Sequence, residues 1–151
     1  MVATNEFEDA WMDEGINTFF QFRYEAEKYR TNSIFGESMP KELKKASLED
    51  FQARVYNALN SLPAKEAINT RSTGFPNKEE YGVVVYIKTA VWMYLVETSI
   101  GRETLDKALH EYYSTWKFRH PYPEDLKEVM EKSAGKKLDK LFDLLNKEDN
   151  F

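Results

Sequence analysis

Two stretches of this chain hold the side chains that could do chemistry. Trp11-Met12-Asp13-Glu14-Gly15 puts two carboxylates at the start of an aromatic-rich run. Tyr86-Ile87-Lys88-Thr89-Ala90 sets a phenol and an ammonium inside an otherwise apolar segment. A carboxylate can ligate a hard cation, and a tyrosine O–H can donate to a developing oxyanion. Each residue also has a plainer role. Acids at Asp13 and Glu14 suit the positive end of a helix. A tyrosine on an apolar helix is commonly a core aromatic whose hydroxyl finds a backbone acceptor. Lys88 either lays its stem along apolar surface with its ammonium in water, or holds nearby acids. The residue types alone leave these pairs of readings open. His110 and His120 are the two histidines of the chain. They stand ten positions apart across an expected helix end, match no ligand spacing, and read as solvated.

The wider pattern around both stretches resembles the M1 family of zinc metallopeptidases, the gluzincin aminopeptidase group. Trp11 to Gly15 is similar to the family's Trp-x-Asp/Asn-Glu-Gly segment, whose glutamate is the third zinc ligand. Tyr86-Ile87-Lys88-Thr89-Ala90 resembles its Tyr-x-Lys-Gly-Ala element, with Thr89 where glycine is usual. The later order also matches: Tyr112 and Trp116, then Pro123-Glu124-Asp125-Leu126, then Ser133-Ala134-Gly135 and Leu138 to Leu145. The resemblance covers about 9–30 and 79–146. It implies that Glu14 is a zinc ligand, that Tyr86 stabilises the oxyanion, and that Lys88 and Asp13 support them. It also implies hydrolysis of a peptide bond, at the N-terminus of a peptide substrate. The family's His-Glu-x-x-His helix, which supplies two histidine ligands and a general base, occurs nowhere in this sequence. Residues 1–13 are too few to hold it and its spacer. The expectation is therefore the helical C-terminal portion of a catalytic domain whose N-terminal lobe lies elsewhere. By itself it should bind zinc weakly and be catalytically silent.

Composition narrows the alternatives. Over 151 residues, hydrophobic side chains make up 42% and aromatics 15%, enough for one domain with a core across 1–151. The formal charge of −5 favours neither nucleic acid nor an anionic membrane, since both want clustered Lys and Arg. Zero cysteines exclude disulfides and thiolate chemistry. The opening residues do not read as a signal peptide. The apolar run Val83 to Leu95 is broken by Lys88 and reads as too short for a membrane span.

The elements that must position the two stretches read as helices, so the fold class is all-α: an irregular bundle of five to six helices around a buried central one. Asp9 to Tyr29 repeats Trp11, Gly15, Phe19, Phe22 and Ala26 at helical steps, with Asp9 as its N-cap. Residues 31–46 look like loop, and Ser47 opens a capped helix to about Ser61. Residues 63–78, with Pro63, Gly74, Pro76 and Asn77, read as a second loop. Lys78 to Ser99 is apolar on nearly all sides, hence central. Its β-branched Val83-Val84-Val85 also suits a strand, but its length favours a helix. Gly101 ends it. Arg102 to Phe118 carries Leu105, Ala108, Leu109, Tyr112, Tyr113 and Trp116 on one face. Pro123 starts the next helix at a favourable first position, and Leu138 to Leu145 form the last.

Three consequences follow. Glu14 and Tyr86 should lie within roughly 8–10 Å of each other if both flank one metal-bound water. The side bearing Trp11, Phe19 and the 79–99 helix should be an exposed apolar patch, and self-association should follow. The rival is a helical protein-interaction module with a peptidase-derived shape and no chemistry.

Overall fold

The computed structural model describes residues 4–29, 57 and 64–149. The loop expected at 31–46 and the helix expected from Ser47 to about Ser61 lie outside these residues. Among the described residues the protein is all-α and no strand occurs. We label its helices α1 (Glu14–Tyr29), α2 (Lys78–Ile100), α3 (Arg102–Trp116), α4 (Pro123–Ala134) and α5 (Asp139–Asp143).

The first helix does not begin at Asp9. Ala10–Met12 is a turn of 3-10 helix, Asp9 makes no side-chain cap bond, and α1 starts at Glu14. The turn drives Trp11 and Met12 into the core, at 1% and 4% exposure. It leaves Glu14 as the first residue of α1 rather than a side chain in its second turn.

The central helix α2 is capped by Asn77, whose Oδ1 accepts from the Glu80 N–H at 2.8 Å. Its middle, Val83–Lys88, is wound as a π-helix. The β-branched crowding that also suited a strand is accommodated by this wider turn. At 23 residues α2 is long and apolar enough, by composition, to cross a bilayer. Its apolar surface is used inside the bundle: Val84, Val85, Ala90, Trp92, Met93 and Val96 are each at most 1% exposed. Gly101 ends it at φ +84, a conformation that glycine adopts without strain, and donates to the Glu97 carbonyl at 2.8 Å.

Around α2 the core is aromatic. The Trp92 indole meets Trp11 edge-on at 5.4 Å and Phe142 at 5.2 Å, while its Nε1 donates to the Leu141 carbonyl at 2.8 Å. Phe19 of α1 meets Tyr94 at 4.9 Å. Among the described residues, therefore, Trp11 and Phe19 form no exposed apolar patch. Trp11 and Phe19 are buried by the chain's own α2, because the α1–α2 crossing closes over them.

On the other side α3 and α4 pack as an antiparallel pair. Tyr122 and Asp125 cap α4 reciprocally, Tyr122 N to Asp125 Oδ2 at 2.8 Å and Asp125 N to the Tyr122 carbonyl at 3.0 Å. Residues 64–77 read as loop but contribute to the core, with Ala64 and Ile68 buried.

Candidate functional site

The crossing of α1 over the π turn builds the site. A Cβ on Gly15 would stand 2.3 Å from Thr89 Cγ2, 2.4 Å from Thr89 Cβ and 2.5 Å from the Val85 carbonyl oxygen. Only glycine lets the two backbones meet there. Thr89 fills the space that Gly15 vacates, and its hydroxyl donates to the Val84 carbonyl at 3.2 Å. That bond serves a carbonyl inside the π turn, where the regular ladder is interrupted. Close helix packing, the purpose a glycine at 89 would have served, is thus supplied from the opposite helix.

The crossing brings Glu14 to Tyr86. The Tyr86 hydroxyl is pushed up to about 12, first by burial and then by the Glu14 carboxylate beside it. A neutral phenol next to a carboxylate is the state that this arrangement stabilises. The two candidate residues are thus neighbours. Tyr81 supports the tyrosine edge-on, its ring 6.3 Å from that of Tyr86, and Phe75 in turn meets Tyr81 at 5.3 Å. Neither Phe75 nor Tyr81 was singled out in the sequence. The cap at Asn77 and Glu80, which sets the start of α2, was the available signal for them.

Lys88 closes the same π turn. Wholly buried, it donates from Nζ to the Glu66 carbonyl at 2.9 Å and the Lys147 carbonyl at 3.2 Å. It ties the segment before α2 and the segment after α5 to the π turn. Burial lowers its ammonium to about 8 against the opposing pull of Asp149, Glu66 and Glu80. The segments it joins are also paired directly, Asp149 N to the Lys65 carbonyl at 2.7 Å and Asn69 N to the Leu145 carbonyl at 2.9 Å. Asp13 accepts from the Asn17 side chain at 3.2 Å, a local pair one turn along α1. His110 and His120 are both exposed.

Among the described residues no group of three His, Asp or Glu side chains could hold a metal ion. Structural and catalytic zinc sites take three or four protein ligands.

Against known families, the peptidase family M1 domain matches residues 1–145. This chain belongs to peptidase family M1. The M1 chain is 24% identical over 137 residues to a "Probable aminopeptidase 2" of Sulfurisphaera tokodaii, an alignment that covers 90% of this chain. It spans 16% of the length of that relative. No solved structure matches the chain. The matched span includes both the segment that opens α1 and the tyrosine element in the π turn.

Proposed function

We propose that this chain is the helical part of an M1 catalytic domain that works in zinc-dependent hydrolysis of peptide bonds, at the N-terminus of the substrate. The nearness of the Glu14 carboxylate to Tyr86, felt in the raised pKa of the phenol, supports this reading. It links two motifs that lie far apart in sequence. Zinc, when bound, would activate water and polarise the scissile carbonyl. Glu14 would give one carboxylate ligand, and the histidine ligands and general base would come from a lobe outside this chain. Tyr86, kept protonated far above neutral pH, would donate its O–H to the oxyanion that develops on the substrate. The crossing at Gly15 would hold the two groups in register.

The test uses this chain joined to a histidine-bearing M1 lobe. Glu14→Ala is expected to lose both bound zinc and hydrolysis of an aminoacyl arylamide. Tyr86→Phe is expected to keep zinc and fold while kcat falls by roughly 10²–10³, the usual effect of losing one oxyanion donor. Undiminished kcat in Tyr86→Phe would leave Tyr86 a core aromatic. A second reading, a non-catalytic helical interaction module, draws on the exposed aromatics Phe7, Phe118 and Tyr122. It predicts that neither substitution alters any hydrolytic rate.

A further inference from the structure

A cleft of about 710 Å³ runs between α1 and α3, on surface distinct from the Glu14–Tyr86 pair. That volume is in the range of small-molecule sites. Its floor is apolar, made by Met12, Ile16 and Leu109. Of the large hydrophobic side chains exposed among the described residues, Phe20, Tyr24 and Tyr113 gather here. The Tyr24 ring carries Lys28 above it at 4.9 Å, and Arg23 stands 5.8 Å from the Phe20 ring; Phe20, 40% exposed, and Tyr113, 49% exposed, still offer open ring surface to a guest.

The charges of the cleft are unevenly matched. Arg23 donates to both carboxylate oxygens of Asp106, at 2.7 and 3.0 Å, and stands 3.5 Å from Glu97. Arg102 pairs with Glu27. Both arginines are thereby neutralised. Asp13 is different: its partner is the uncharged amide of Asn17, and it forms no ion pair among the described residues. Its charge reaches into the cleft wall. The buried Tyr112 hydroxyl, which has no hydrogen-bond partner, is pushed up by burial and by the charges of Asp125 and Asp13. An apolar trough with one uncompensated carboxylate favours a guest with the opposite charge and an apolar body.

We infer that the α1–α3 cleft binds an organic amine, its ammonium on Asp13 and its apolar body between Phe20 and Tyr113. Two sources share that chemistry: a free amine, and the N-terminus of a peptide with a bulky first residue.

Protein-observed NMR titration of the full chain tests this. The probes are 3-phenylpropylamine, the neutral 3-phenylpropanol, the anionic 3-phenylpropionate, and the peptide amide Phe-Ala-Ala. The amine is expected to shift Asp13, Asn17 and Tyr113 saturably and to bind at least about fivefold more tightly than the alcohol, as a partly exposed ion pair allows. The carboxylate is expected not to bind. Asp13→Asn should remove the preference of amine over alcohol. Tyr113→Ala, an exposed position whose replacement leaves the core intact, should weaken both while keeping their ratio. Peptide binding at the same residues assigns the site to peptide N-termini, and amine binding without it assigns the site to free amines. Equal binding of amine and carboxylate, no binding of the amine, or an unchanged ratio in Asp13→Asn overturns the proposal. None of these readouts depends on zinc or hydrolysis, so the site and the proposed peptidase role stand or fall separately.

Discussion

The α1–π-turn crossing and the α3–α4 hairpin are both pairs of helices, yet they are built in opposite ways. The hairpin is regular. A short connection joins its helices, Leu105, Ala108, Leu126 and Met130 fill the seam, and charged pairs such as Lys132 to Glu111 at 2.6 Å decorate its exposed outside. At the crossing the backbones nearly touch, a helix is underwound into a π turn, and a lysine is sealed from water. The hairpin takes its stability from many interchangeable apolar contacts. The crossing depends on a few groups that have no substitute. Departures from regular helix gather where Glu14 meets Tyr86, as expected where geometry matters more than average packing.

Substitutions can break that contrast. Gly15→Ala is expected to cost the most, about 3 kcal/mol or more, because the new methyl meets the Val85 carbonyl as well as Thr89. Urea denaturation of the two proteins measures it. Adding Thr89→Gly should recover part of the loss and not all, since the backbone oxygen remains. Full recovery would show that the close contact is only with the threonine side chain.

Lys88 gives a pH signature. Its ammonium titrates at about 8 in the folded protein and near the ordinary value, 10.5, when unfolded. Between these values the unfolded chain binds more protons, so stability should rise with pH. From pH 8 to 9.5 the gain should be about 1.5 kcal/mol, since the slope reaches its full 1.36 kcal/mol per pH unit only above the folded value. The window stops there because Tyr86, Tyr94 and Tyr112, all pushed up by burial, oppose the trend once unfolded tyrosines ionise near 10. Lys88→Met should flatten the rise. An identical slope in both proteins would contradict the buried ammonium.

A smaller effect sharpens the site itself. In Glu14→Gln the Tyr86 phenol should titrate below about 12 and still above 10, since burial, the larger cause, remains. Site-selective ¹³C labelling of tyrosine, followed by NMR across alkaline pH, reads this directly. On the hairpin, Lys132→Ala should leave the urea midpoint unchanged, because the pair it breaks lies at the surface.

Much of this protein could be read along the chain. The faces of α1, α3 and α4, the stop at Gly101 and the start at Pro123 follow from apolar spacing and from residues with restricted backbones, which act within one or two turns. The pairing of Glu14 with Tyr86 was legible only because two motifs resemble one family. Composition and periodicity leave both residues with ordinary roles. The start of α1 at Glu14, the burial of Trp11 and Phe19 and the core role of Ile68 were not legible, since each depends on which element arrives from elsewhere. The cleft beside Asp13 likewise exists only once α1 and α3 stand together.

Sequence by itself determined that this chain makes amphipathic helices around one wholly apolar helix, because side-chain periodicity acts locally. Tertiary structure decided where the missing side chain of Gly15 would be used, how α2 would wind beneath it, and what Lys88 would hold. Those outcomes depend on contacts between residues distant in sequence, and no local preference encodes a distance of closest approach.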